Sequence, residues 1–317
     1  MAREPGSIDL SVVIVNWNTR AELKDCLRSV CAGASDRMEI TVVDNASTDS
    51  SLEMVRAEFP EVRLIENTRN LGFARACNQG IDISQGRYVM LLNSDARVEN
   101  DALRLLVRFA DANPEAGIIG PKVLNPDGSL QYSCRRFPTL AAGLFRNSFL
   151  GRFFPHNPYT RDYLMADWHH REPQDVDWVS GAAMLIRKGL LEDVALLDES
   201  FYMYCEDVDL AYRARQKGWS VVYFPEAVVV HAKGRSSDKD PNRMIREFHK
   251  SMYRFFRKHY APRSSIVTRG FVPPALFLRA SLLIAHNQFD HYRYVLTHPK
   301  RGSEAEERYG EGYSSEG

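Results

Sequence analysis

A chain of 317 residues, 44% of them apolar, is long enough to bury a full α/β core and carry an appendage. Its 41 basic and 41 acidic residues cancel overall but are unevenly spread: Ala232 to Arg301 carries a net charge of about +11, and Gly302 to Gly317 has five Glu against one Arg. Five cysteines at scattered spacings, with no CxxC pair, exclude a disulfide framework and favour a reducing cytosol.

The first predicted element is a strand over Leu10 to Val15, reached from Met1 to Asp9 with no signal-like apolar region. Thr19 and Glu22 have capping-box spacing, which opens a helix with Leu23, Leu27 and Val30 on one face. A strand at Ile40 to Val43 follows, then a helix from about Ser50 carrying Leu52, Val55 and Phe59, and a short strand at Val62 to Ile65. Phe73 to Ile83 reads as a helix, Tyr88 to Leu92 as a strand, Asp101 to Ala112 as a helix and Gly117 to Leu124 as a strand. The order βαβαβαβαβ predicts an α/β fold, a doubly wound and mostly parallel sheet flanked by helices. Asn125-Pro126-Asp127-Gly128 is a turn, and Phe137 to Arg171 is rich in aromatics, Pro and His with no clear period. Such a long irregular segment is usually functional or mobile. Order returns with Trp178 to Ile186, a helix at Val208 to Lys217 and a strand at Val221 to Phe224, after which a basic helical segment, Arg243 to His259, leaves the core.

Two buried runs end in an acid: Ile40-Thr41-Val42-Val43 in Asp44, and Tyr88 to Leu92, continued by Asn93-Ser94, in Asp95. The carboxyl ends of parallel strands open onto the crevice where α/β proteins bind ligands, so both carboxylates are expected in one cleft. A buried, unpaired carboxylate is costly, which implies a cation, a donor-rich ligand or a raised pKa. The residues after Val15 are Asn16-Trp17-Asn18, so the GxGxxG turn of a dinucleotide fold is missing, and no GxxxxGK[ST] loop exists either. A nucleotide site without a glycine cradle can neutralise phosphate through a divalent cation held by a carboxylate. Further on, Glu206, Asp207 and Asp209 stand at a loop-to-helix junction, where acids also serve the helix dipole, and that alternative stays open for Asp209. Val228-Val229-Val230 ends in His231, a structural residue or, together with Asp95, a metal ligand.

In this order, Ser11 to Asn18, Val42-Val43-Asp44-Asn45-Ala46-Ser47, Asn70-Leu71-Gly72-Phe73-Ala74, Leu92-Asn93-Ser94-Asp95, and Glu206-Asp207-Val208-Asp209-Leu210 with His231 form a set. The set resembles the inverting glycosyltransferases of family 2, which have the GT-A fold, and looks most like their rhamnosyltransferase-like branch. The resemblance implies that Asp44 bonds the pyrimidine base and that Asn16 lies beside the nucleotide, with Asn45, Asn93 and Ser94 on the same donor side. Asp95 would hold Mg2+ or Mn2+ on the diphosphate, and His231 matches a second metal ligand. Asp207 matches the base that deprotonates the acceptor hydroxyl, and Glu206 orients it or contacts the acceptor. Asn93 departs from the pattern, since an acid often stands there. Gly72 begins a helix near the nucleotide or is a packing glycine. Arg75 and Asn78 reach the donor from that helix or are simply solvated. Trp178, Ser180 and Gly181 fall on the acceptor side with Glu206 and Asp209, with core packing as the alternative for Trp178. Cys205 lacks a histidine partner and is a bystander.

The implied reaction moves one sugar from a nucleotide diphosphate sugar, dTDP-L-rhamnose or a UDP-hexose, to a hydroxyl of a polyprenyl-diphosphate-linked or glycan acceptor. Inversion needs in-line attack, a base on the acceptor and charge compensation on the leaving diphosphate. Asp207 must then be ionised at neutral pH, which a nearby metal favours. A non-catalytic sugar-nucleotide-binding protein would lack a base, which Asp207 argues against, and a nucleotidyltransferase would carry an early glycine-rich basic loop. The family's processive synthases carry QxxRW, which Gln216-Lys217-Gly218-Trp219 breaks.

Three domains are expected: residues 1-235 as the GT-A nucleotide-sugar and acceptor domain, 236-301 as a basic helical extension, and 302-317 as a disordered acidic tail. Phe271 to Ala285 is apolar but interrupted by Pro273, Pro274 and Arg279, so it is expected to lie at a membrane interface and not to span. Positive charge would draw it to the anionic inner leaflet, giving a cytoplasmic enzyme peripherally bound to the membrane. An oligomerisation arm is the alternative. Helical spacing puts Met252, Phe255, Phe256 and His259 on one face, which favours docking or membrane contact over nucleic acid.

Overall fold

The computed structural model describes residues 7–145, 153, 154, 156–232 and 240–297. They divide into two units, Met1–Tyr202 with Glu206–Lys233, and Met203–Cys205 with Gly234–Gly317.

In the first unit one path of strands runs β3 (Arg63–Glu66), β2 (Met38–Asp44), β1 (Leu10–Asn16), β4 (Tyr88–Asn93), β10 (Ala183–Arg187), β6 (Ala116–Leu124), β11 (Ser220–His231) and β5 (Ala96–Val98). Neighbours among β3, β2, β1 and β4 are parallel, as are β6 and β11. Strand β10, which comes late in the chain, inserts antiparallel between β4 and β6, so the sheet is mixed although mostly parallel. Helices lie on both faces because the side chains of each strand alternate. Val12 and Ile14 share a core with Leu23, Leu27 and Val30 of α1 (Arg20–Ala32) and with Leu103 and Leu106 of the helix Ala102–Ala112. Between them, Val13 points the other way and meets the helix Phe73–Asp82 so closely that a Cβ on Gly80 would come within 2.3 Å of Val13 Cγ1. Burying each large aliphatic side chain contributes about 1.5–3 kcal/mol, and that is what fixes the register. The register pairs Asn16 with Asp44 and Val15 with Asn93, which brings the acids of both strands to one edge of the sheet.

Several local expectations are corrected. Thr19 does not cap α1 with its side chain; its hydroxyl lies 2.7 Å from both Asn16 Oδ1 and Ser94 Oγ, a pair of partners offered at the ligand edge. The run from Trp178 to Ile186 is two strands: β9 (Trp178–Val179) pairs with β7 (Cys134–Arg135) in a separate ribbon, and only β10 joins the main sheet. Conversely, Val221 to Phe224 and Val228 to His231 are parts of one strand, β11, joined across a register shift. Short β5 had no signal in the sequence, yet its antiparallel pairing with β11 sets His231 opposite Ala96, the residue after Asp95. The irregular segment contains the helix Pro158–Leu164, capped by Asn157, whose side chain accepts from the Thr160 N–H at 2.8 Å.

The second unit contains the helix Pro241–Phe255, capped by Asp240 and continued by a π turn at Phe256–Tyr260, and the helix Ile266–Thr297. Pro273 and Pro274 were expected to interrupt the apolar stretch, but this helix runs through both. Each proline, inside the helix, removes a single backbone donor, and the turns on either side continue. The correction changes the length: Ile266–Asp290 is, by length and composition, long and apolar enough to cross a bilayer. Phe271, Phe277, Leu278, Leu282 and Phe289 are all exposed on it. Phe255 and Phe256, expected to dock or to contact a membrane, are buried. The acidic tail, 302–317, lies outside the described residues.

Candidate active site

The donor edge is a closed network of side chains. Asp44 Oδ1 accepts from Asn16 Nδ2 at 2.8 Å and from Ser47 Oγ at 2.6 Å, while its Oδ2 accepts from the Ser47 N–H at 2.8 Å. The carboxylate is buried and holds the turn after β2, with lone-pair capacity left for one more donor. Asn45 bonds Gly72 O and accepts from Asn67, tying that turn to the loop before the helix Phe73–Asp82. Gly72 is required where it stands: its φ is +87°, and a Cβ would sit 2.4 Å from Tyr202 O. The structure gives Arg75 and Asn78 partners other than a donor. Arg75 pairs with Glu199 at 3.6 Å, and buried Asn78 bonds Leu197 in both directions and reaches Glu199.

The β5–β11 pairing brings His231 Nε2 to 3.1 Å from Asp95 Oδ1, both side chains 9% exposed. Gln131 fixes the ring: its Oε1 lies 3.1 Å from His231 Nδ1, so that nitrogen carries a proton, and in the neutral ring Nε2 is left with a lone pair. A lone pair and a carboxylate oxygen then face each other at the spacing of two neighbouring ligands on one octahedral ion, about 3 Å for bonds of about 2.1 Å. The donor set therefore fits a Mg2+- or Mn2+-sized ion with two protein ligands, the remaining positions falling to diphosphate and water. Among the described residues no cluster of three or more Asp, Glu, His or Cys could hold a metal, and Asn93, whose amide lies 3.3 Å from Nε2, adds no charge.

Across the cleft, Asp207 Oδ2 accepts from the Gly181 N–H at 3.0 Å and its Oδ1 from the Val208 N–H at 2.8 Å. Burial pushes this carboxyl above its ordinary value, while the Gly181 and Val208 N–H groups and the charge of Arg135 pull it partly back. Glu206 is raised well above its ordinary value, first by burial and then by the neighbouring Asp207 charge, and its Oε2 has no hydrogen-bond partner among the described residues. Asp209 is fully buried and its carboxylate bonds Arg213 Nε at 2.8 Å, a structural ion pair and not the acceptor contact expected of it. Trp178 is buried, donates to Arg136 O at 2.8 Å, and stands three residues before Gly181.

A chain of contacts joins these groups. Asp207 is held by Gly181; Ala182, the next residue, accepts from the Asn93 N–H at 2.9 Å; the Asn93 amide meets His231; and His231 meets Asp95. From Ser94, Thr19 and Asn16 carry the connection on to Asp44. Asp44, Asp95, His231 and Asp207 are thus linked by one chain of contacts, although more than a hundred residues separate some of them. Thr19 and Gln131 belong to it and were not anticipated. Thr19 was read as a helix cap, and Gln131 follows the turn at Asn125-Pro126-Asp127-Gly128, where the sequence carried no site signal.

Comparison with known proteins agrees with this geometry. The family model for glycosyl transferase family 2 matches residues 11–191. The N-acetylglucosaminyl-diphospho-decaprenol L-rhamnosyltransferase of Mycobacterium tuberculosis is 32% identical over 288 residues, which are 87% of this chain and 92% of that one. Among solved structures, the mannosyltransferase PcManGT from Pyrobaculum calidifontis, in complex with GDP-Man and Mn2+, superposes with a TM-score of 0.53 at 18% identity, covering 93% of this chain and 83% of that one. GalNAc-T7 with UDP, GalNAc and Mn2+ gives a TM-score of 0.54 at 18% identity over 72% of this chain, which spans less than half (44%) of that one. Both carry the GT-A arrangement of sheet and helices seen here. The family match over more than half the sequence, together with the Mycobacterium relative, makes this chain a glycosyltransferase, a member of glycosyl transferase family 2.

Proposed function

We propose that this enzyme transfers a single L-rhamnosyl unit, with inversion, from dTDP-L-rhamnose to a hydroxyl of a polyprenyl-diphosphate-linked N-acetylglucosamine. The observation that supports the transferase reading is the route of contacts from Asp95 and His231, through Asn93, Ala182 and Gly181, to Asp207. The choice of donor and acceptor is supported by the Mycobacterium relative, whose likeness runs through most of both chains.

In this reading Asp44 and Asn16 receive the base and Thr19 and Ser94 border the diphosphate. Asp95 and His231 would hold Mg2+ or Mn2+, which when bound neutralises charge on the departing diphosphate. Asp207 takes the acceptor proton: burial makes its carboxylate a stronger base, and the Gly181 N–H aims one oxygen. Glu206 contacts the acceptor or orients the base from its buried position. The exposed apolar residues of Ile266–Thr297, within the basic stretch Ala232 to Arg301, bring the enzyme to an anionic membrane surface, with Arg279 mid-helix favouring the interface over a full span.

The test is a thermal-shift screen of nucleotide sugars with Mn2+, followed by transfer assays on diphosphate-linked N-acetylglucosamine. dTDP-L-rhamnose is expected to stabilise most and to support transfer. Stabilisation by a UDP-hexose alone would replace the donor, and stabilisation without turnover on any acceptor would sink the proposal.

A further inference from the structure

Arg135 differs from its neighbours. Arg136 pairs with Asp177, Arg213 with Asp209, Arg215 with Asp175 and Arg75 with Glu199. Among the described residues no carboxylate pairs with Arg135. Its guanidinium lies 5.0 Å from the ring centre of Trp178 and 5.8 Å from that of Tyr163, and its Nε donates to Tyr132 O at 3.0 Å. Two aromatic faces and one carbonyl hold the fork in place and leave both terminal amino groups for a ligand. The β7–β9 register sets Arg135 opposite Trp178, three residues from the Gly181 N–H that aims the base, and the Arg135 charge is felt at Asp207.

A half-exposed cation fixed beside a catalytic base calls for an anion. The donor diphosphate is not that anion, because in-line inversion sends it away on the face opposite the attacking hydroxyl, toward Asp95 and His231. On the base side the only anion the reaction brings is the acceptor's own diphosphate, one sugar ring from the hydroxyl that attacks. We propose that Arg135, stacked on Trp178 and Tyr163, binds the diphosphate of the lipid-linked acceptor through its two terminal amino groups. A planar fork suits paired phosphate oxygens better than an ammonium does. This rests on the transferase reading above and adds the residue that tells a diphosphate-linked acceptor from an uncharged one.

The experiment compares KM for diphosphate-linked N-acetylglucosamine and for an uncharged alkyl N-acetylglucosaminide, in wild type, Arg135→Ala and Arg135→Lys. Wild type is expected to favour the diphosphate acceptor at least tenfold, Arg135→Ala to lose that preference, and Arg135→Lys to keep part of it. Nucleotide affinity of each variant checks the fold. A preference that survives in Arg135→Ala, or an equal KM rise with both acceptors, overturns the proposal and leaves the transferase reading standing. If wild type glycosylates neither acceptor, that reading has failed, and calorimetry with farnesyl diphosphate on protein saturated with dTDP and Mn2+ decides for Arg135 alone. Binding at least tenfold weaker in Arg135→Ala supports the site, and equal binding removes it. Phosphatidylglycerol vesicles without acceptor separate the remaining source of phosphate: equal loss of vesicle binding in Arg135→Ala would assign the residue to lipid headgroups instead.

Discussion

Asp44 and Glu206 are both buried, yet Asp44 accepts three hydrogen bonds from Asn16 and Ser47 while one oxygen of Glu206 has no partner among the described residues. The two carboxylates typify the two ends of the cleft. At the donor end, charge is satisfied by the turn that carries it, and hydrogen bonds to charged groups of this kind contribute about 1.5–3 kcal/mol each. At the acceptor end, two adjacent acids are kept in a place that raises their pKa. On the proposed reading, the end that holds Asp44 has a fixed shape and the end that holds Asp207 a reactive proton acceptor.

The largest effect expected is at the acceptor end. Asp207→Asn should lower the transfer rate by about 10²–10⁴-fold, with donor affinity within about twofold of wild type. The pH profile sharpens this: the wild-type rate should rise with pH through an acid limb above the ordinary aspartate value of 3.8, because burial holds the proton on longer. An Asn variant that keeps both the rate and the limb would make the ends alike and remove the base. At the donor end the expected loss is in binding. Gln131→Ala frees the His231 ring and should weaken Mn2+ about tenfold, the low end for an outer partner of a metal ligand, while Asp95→Ala should cost more. Nucleoside diphosphate titrations with Mn2+ and with chelator read both, and an affinity in Asp95→Ala equal to wild type under each condition would take the cation away from this edge.

How much of this was legible in the sequence follows the same division. Strand-end acids such as Asp44 and Asp95 announce themselves, because an apolar run of period-two side chains that stops in a carboxylate has one structural meaning. Their alignment is a consequence of parallel register, which the βα alternation implies. The antiparallel strand β10 was not legible, since its partners lie about 70 and 90 residues earlier and nothing local encodes direction. Nor was Thr19: its spacing to Glu22 fits a cap, and only the approach of Ser94 from another strand draws the hydroxyl away. Asp209 shows the limit of reading a cluster as a site, since one helical turn sends it to Arg213 while Asp207 faces Gly181.

A smaller effect tests the cost of the acceptor end directly. Glu206 has a folded pKa raised above its unfolded one, so between the two values the native state binds more protons than the unfolded state. Stability contributed by that proton is present at low pH and is lost as pH rises through the window, at up to about 1.4 kcal/mol per pH unit for one group. Glu206→Gln should flatten that slope in urea titrations from pH 4.5 upward. An unchanged slope would mean that Glu206 is not held at a cost, and the contrast with Asp44 would fail.

The smallest effect expected separates structure from recognition on the helix Phe73–Asp82. Arg75 was expected to reach the donor, yet it pairs with Glu199 at 3.6 Å with both side chains about half exposed (54% and 47%), an arrangement worth less than about 1 kcal/mol. Arg75→Ala should therefore shift the urea midpoint slightly and leave donor affinity alone. Asn78 is the control on the same helix: buried, with its amide bonded to both Leu197 backbone groups, it should cost about 1–3 kcal/mol when cut to Ala because those partners are left unpaired. A fall in donor affinity in Arg75→Ala without loss of stability would reverse the assignment: the guanidinium would then belong to the nucleotide.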